Sequence, residues 1–171
     1  VPPTIQPEEL IRVTRDHLSL TEWETLKDLL ETGGRQASNA FTQTWRNLET
    51  QIRNAMAAVR AQRLKRPVES YIKPVSGTLR LDIRTAVEEA FQSPSPLERE
   101  RKLDRCRWML LEEMAGSDPF TLDALFAYAL RLRIAIRWAN LRTETGEAVL
   151  NEQVQRLLHQ TALPRSSGTP V

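Results

Sequence analysis

From about residue 37 to Lys65 the chain runs without a glycine or a proline, and Pro67 closes the run. A stretch free of breakers propagates cheaply once a first turn has formed, so it predicts one helix of roughly seven to eight turns, the longest element in the chain. Along it Phe41, Trp45, Leu48, Ile52, Ala55 and Val59 recur at alternating steps of four and three. That spacing makes a narrow coiled-coil-like seam rather than a broad globular face. The helix therefore needs at least one long partner, which the rest of the chain must supply.

The remaining sequence reads as further helices set off by punctuation. Pro7 with Glu8 and Glu9 starts a short helix near 7–16. Thr21 and Glu24 are spaced as a capping box, opening a helix that Gly33 and Gly34 end. Residues 67–79 hold Pro67, Pro74 and Gly77 and read as a connection, followed by a modest helix near 80–92 carrying Leu81, Ile83, Val87 and Phe91. After the break SPSP, Ser95 and Pro96 start a helix that Gly116 ends, and Asp118 with Pro119 repeat the start signal. Two helices joined by so short a turn form an antiparallel hairpin. A last helix is expected near 147–160, bearing Val149, Val154, Leu157 and Leu158. The expected fold class is all-α: a helical bundle with one long heptad-patterned helix and an antiparallel helical hairpin. A single domain over 1–163 and a flexible tail over 164–171 complete the expectation. The sequence starts at Val1 and not at methionine, so no targeting signal is read from its start.

Charge and cysteine content narrow the function classes. With 24 basic and 22 acidic residues the chain is near balance, so only local patches can attract a polyanion. The single cysteine, Cys106, excludes an internal disulfide and a cysteine-rich zinc site, and fits a reducing compartment. The most apolar segment, 120–141, is broken by Arg131, Arg133 and Arg137, so direct membrane insertion is not expected.

Projected at about 100° per residue, Leu103, Cys106, Leu110 and Met114 share one face, and residues 122–141 carry apolar stripes on two sides. Arg133 and Arg137 lie in the seam between those stripes. An arginine there needs a carboxylate or an exit to water, because an unpaired buried charge costs several kcal/mol, on the order of 3–5. Asp104, Arg107, Glu112, Glu113, Arg133 and Arg137 are therefore expected to form a structural ion-pair network. Trp45, Trp108 and Trp138 read as core residues, and Tyr128 as a rim residue.

No reaction site emerges. His17 and His159 stand alone, Glu112 and Glu113 diverge on a helix, and Cys106 faces apolar neighbours, so no catalytic, cofactor-binding or metal-binding residue is assigned. The basic residues Arg53, Arg60, Arg63, Lys65 and Arg66 near the end of the long helix form the candidate partner surface. Nucleic-acid binding through this run is the alternative, weakened by the absence of interleaved aromatics that stack bases.

DRCRW at 104–108, LEE at 111–113, LDALFAYAL at 122–130 and the pair Arg137–Trp138 resemble a bacterial family of unknown function encoded beside the subunits of V/A-type rotary ATPases. WRNLETQIRNAMAAVRAQR at 45–63 is similar to it as well. The family's tyrosine-rich apolar segment ahead of the first helix has no counterpart here. The resemblance implies a non-catalytic accessory or structural subunit of the rotary ATPase, analogous to the all-helical central-stalk subunit that joins the rotor shaft to the membrane ring. It implies protein partners among the ATPase subunits and a cytoplasmic location, peripheral to the membrane through that complex. It carries over no catalytic residue.

Overall fold

The computed structural model describes residues 3–141. Among them the chain is all-α, with six helices: α1 (Pro7–Thr14), α2 (Leu20–Glu31), α3 (Ala40–Arg63), α4 (Leu81–Phe91), α5 (Pro96–Ala115) and α6 (Leu122–Asn140). The helix expected near 147–160 and the tail lie outside the described residues. The described chain divides within α6, residues 4–134 forming one unit and 135–141 belonging to a second. The architecture below is that of the first.

Helix boundaries follow local chemistry. The capping box at the start of α2 is two residues earlier than the Thr21–Glu24 spacing predicts: Ser19 Oγ accepts from the Glu22 N–H, and the Glu22 carboxylate accepts from the Ser19 N–H at 2.8 Å. Both pairs have the right spacing, but Ser19 has the extended backbone that an N-cap requires. Asn39 and Thr42 form a second reciprocal box at the start of α3. Between them Asp28 organises the α2–α3 turn. Its carbonyl accepts the N–H groups of Thr32, Gly33 and Gly34, and its carboxylate accepts those of Gln36 and Ala37 and the Thr32 hydroxyl.

Directions can be read from the polar contacts. Gln51 faces residues 78–80 just ahead of α4, and Arg63 reaches the Phe91 carbonyl at its end, so the second half of α3 runs parallel to α4. Arg80 at the start of α4 binds Glu113 near the end of α5, and Lys102 reaches the Glu89 carbonyl, making α4 and α5 antiparallel. Arg131 contacts Trp108 and Glu112, which sets α6 antiparallel to α5 as the short turn requires.

Leu26, Leu29, Ile52, Ile83, Val87, Leu103 and Leu111 form the fully buried centre. On α3 the seam is buried at Phe41, Trp45, Leu48 and Ile52 and only half-buried at Ala55 and Val59. Phe41 meets Phe126 of α6 with ring centroids 5.6 Å apart. Trp108 differs from the expectation of a core residue. It is 36% exposed, with its indole N–H on Glu112 and the Arg131 guanidinium over its ring. A tryptophan with charged neighbours on both sides satisfies its polar edge at the surface and does not need the core.

Candidate functional site

The long helix presents two polar features, an amide ladder along its flank and a basic cluster at its end. In the ladder, Asn47, Gln51 and Asn54 project at steps of four and three, and each side-chain amide both donates to and accepts from the returning connection. Asn54 donates to the Lys73 carbonyl at 2.7 Å and accepts the Lys73 N–H at 2.8 Å. Asn47 does the same with Ser76, at 2.6 and 3.0 Å. Gln51 bridges the Thr78 carbonyl and the Arg80 N–H, at 3.4 and 2.9 Å. A segment with no strand or helix of its own thus has backbone groups satisfied by the helix it crosses. Asn47, Gln51 and Asn54 were not singled out from the sequence. Their i, i+4, i+7 spacing beside the seam is a signal, but a stripe of amides also reads as a solvated face.

At the end of α3, the Arg66 N–H returns to the Ala61 carbonyl and the Lys65 N–H to the Gln62 carbonyl, closing the helix with Lys65 at φ 51°. That cap geometry usually employs glycine, and a lysine there costs about 1–2 kcal/mol. Of the five basic residues expected at this surface, Arg53 pairs with Glu49 at 3.5 Å. Arg60, Arg63, Lys65 and Arg66 have no carboxylate in ion-pair range among the described residues. Arg63 donates to the Phe91 carbonyl at 2.5 Å and Arg66 to the Tyr71 hydroxyl at 3.4 Å. Arg60 and Arg63 also lie 5.6 and 5.3 Å from the centroid of the Phe91 ring. Arg99 of α5 joins them at 4.7 Å.

The charged residues expected to form one network are distributed over separate contacts. Arg107, with 16% of its side chain exposed, binds Asp104 at 3.0 Å and Glu49 of α3 at 2.6 Å. Burial opposes its charge, but the two carboxylates outweigh that and raise its pKa. Glu113 binds Arg80, which also holds Asp82; the Arg80 hydrogen bonds lower the pKa of both carboxyls. Glu112 contacts Trp108 and Arg131. Arg133 donates to the Leu29 carbonyl at 3.1 Å, with its guanidinium packed beside Gly33, and burial followed by the charge of Arg35 lowers its pKa. Arg137, in the second unit, lies over Trp138 at 5.9 Å. Glu49 is the member that sequence spacing could not reveal, because it comes from a helix 58 positions away.

Cys106 is buried, and desolvation raises its thiol pKa, so the thiolate that nucleophilic chemistry requires is disfavoured. Among the described residues no group of three His, Cys, Asp or Glu side chains converges as a metal site, and no helix is long and apolar enough to cross a membrane. No curated protein and no solved structure matches the chain. Residues 81–161, which begin at α4 and include all of α5 and α6, match a family model described as a protein of unknown function, DUF2764.

Proposed function

We propose that this chain is a non-catalytic accessory or structural subunit of a bacterial V/A-type rotary ATPase, docking through the basic end of α3. The observation that carries the docking surface is the set Arg60, Arg63, Lys65 and Arg66, which has no ion-pair partner among the described residues, whereas Arg80, Arg84 and Arg107 each hold a carboxylate. Lys65 adds support. A strained backbone kept at an exposed lysine is more economically explained by a contact there than by stability, since glycine would relieve it. The rotary ATPase itself comes from the resemblance, and the match to a family of unknown function is compatible with it.

The test is affinity capture of the full-length protein from native cells in mild detergent with nuclease treatment, followed by mass spectrometry. Near-stoichiometric recovery of several rotary-ATPase subunits, lost on the double charge reversal Arg60→Glu/Arg63→Glu, is the expected result. Recovery unchanged by the reversal would reject the surface. Loss of all partners on nuclease treatment would favour nucleic-acid binding by the same run.

A further inference from the structure

We infer that Arg60, Arg63 and Arg99 form a receptor for one phosphate dianion at the rim of Phe91, where the end of α3 meets the turn between α4 and α5. This rests on the reading of the basic end as a binding surface, and not on the identity of the complex. Three guanidinium groups lie 5.6, 5.3 and 4.7 Å from one ring that is itself 4% exposed. Sharing one ring, the three groups lie at most about 11 Å from one another, and an anion placed among them would offset their mutual repulsion. Among the described residues no carboxylate performs that role. Glu98 and Glu100, on the same turn of α5 as Arg99, form no ion pair with any of the three.

Two buried donors on the same stretch of chain lack a partner among the described residues. Arg99 Nε is shielded from solvent and has no protein acceptor. Ser93, in the turn between Phe91 and Arg99, is 6% exposed, and its hydroxyl has no partner. Buried donors in native proteins are nearly always satisfied, and the N–H of a cation is among the costliest to leave unsatisfied. The ring contacts engage the guanidinium groups while leaving N–H edges to form forked hydrogen bonds to oxygen. A monocarboxylate offers two oxygens and one charge, whereas phosphate offers three or four oxygens and two charges. The second matches three arginines and a hydroxyl more closely. The ion is either free phosphate or the monoester of a small molecule, since both present the same dianionic face.

The experiment is isothermal titration of the purified full chain at fixed ionic strength with inorganic phosphate, glycerol phosphate, sulfate, acetate and a short single-stranded oligothymidine. Phosphate should bind more tightly as pH rises from about 5.5 to 8, because a monoester dianion forms with a pKa near 6 and that of inorganic phosphate about one unit higher, while sulfate should show no such rise. Acetate should not compete. Arg99→Gln and Arg60→Gln should each weaken phosphate at least about tenfold, and Arg99→Lys should recover only part, having charge without the fork. Circular dichroism of each variant distinguishes lost binding from lost folding, and the exposed Arg60 provides a variant in which folding is not at stake. Glycerol phosphate binding more tightly than phosphate would identify a monoester as the source, and the reverse would identify the free ion. Phosphate binding that is absent, or that is unchanged by both substitutions, would overturn the assignment. So would oligothymidine binding without phosphate binding, which would make the site a nucleic-acid contact. Failure here leaves the capture experiment untouched, because that experiment reads protein partners and this one reads an ion on the isolated chain.

Discussion

Replacing Gln51 with alanine tests whether the amide ladder holds the connection between α3 and α4. Gln51 is 5% exposed, so both of its hydrogen bonds are shielded from water. A neutral buried hydrogen bond contributes about 1 kcal/mol net; the 2.9 Å bond from the Arg80 N–H should reach that value and the 3.4 Å bond to Thr78 fall below it. The lost methylene adds about 0.8 kcal/mol, for a total of about 2–2.5 kcal/mol. For a chain of this size that lowers the melting temperature by roughly 4–10 °C. Asn47→Ala and Asn54→Ala, whose rungs are exposed, should each cost about 1 kcal/mol or less. Thermal unfolding by circular dichroism measures the stabilities, and amide hydrogen exchange reads the rungs directly. The N–H groups of Lys73, Ser76 and Arg80 should lose protection only in the variant that removes their own partner. A Gln51→Ala protein that melts within about 1 °C of the parent, with the Arg80 amide still protected, would refute the reasoning.

Two further outcomes follow from the same contacts. Lys65→Gly removes the left-handed strain at the end of α3 and should raise stability by about 0.5–1 kcal/mol in urea unfolding, while weakening recovery of the partner complex; a loss of stability would show that the lysine side chain contributes more than its backbone costs. At Asp28 burial pushes the carboxyl pKa up, but the N–H groups of Ala37 and Gln36, the Thr32 hydroxyl and the charge of Arg46 outweigh it, and the folded value lies below the ordinary one. A lowered folded pKa means a contribution fully present above about pH 4–5 and lost as pH falls through the folded value. Asp28→Asn should therefore flatten the acid limb of the stability curve, and an unchanged acid limb in urea unfolding would remove Asp28 as its source.

How much was legible in the sequence depended on the range of the interaction. The helices are encoded by local signals, and α3, α4, α5 and α6 lie within a few residues of where breakers and periodicity place them. The α2 cap is two residues out because Ser19–Glu22 and Thr21–Glu24 are both validly spaced boxes, and backbone conformation decides between them. The basic end of α3 was legible as a charge run. Its convergence on Phe91 was not, because Arg99 lies 36 positions beyond Arg63 and a cation over a ring leaves no periodic trace. Glu49 escaped for the same reason: it lies on another helix, 58 positions before Arg107, and no local pattern links the two. The amide ladder needs the course of the connection, which carries no periodicity at all.

The ladder and the arginine cluster are parts of one construction. Antiparallel helices follow from a short turn, as between α5 and α6, but parallel neighbours require the chain to travel back along the first helix before starting the second. Residues 64–80 make that return, and the three amides fix which residue of it meets which turn of α3. The last rung ends on Arg80, the residue that precedes α4 and binds Glu113. Its position sets the register of α4, and therefore where Phe91 lies eleven residues later. A slip of one residue along the ladder would rotate the start of α4 by about 100° and shift it by about 1.5 Å, turning the Phe91 ring away from Arg60 and Arg63. The polar flank of the long helix thus serves its basic end: it holds in place the aromatic ring on which the arginines gather.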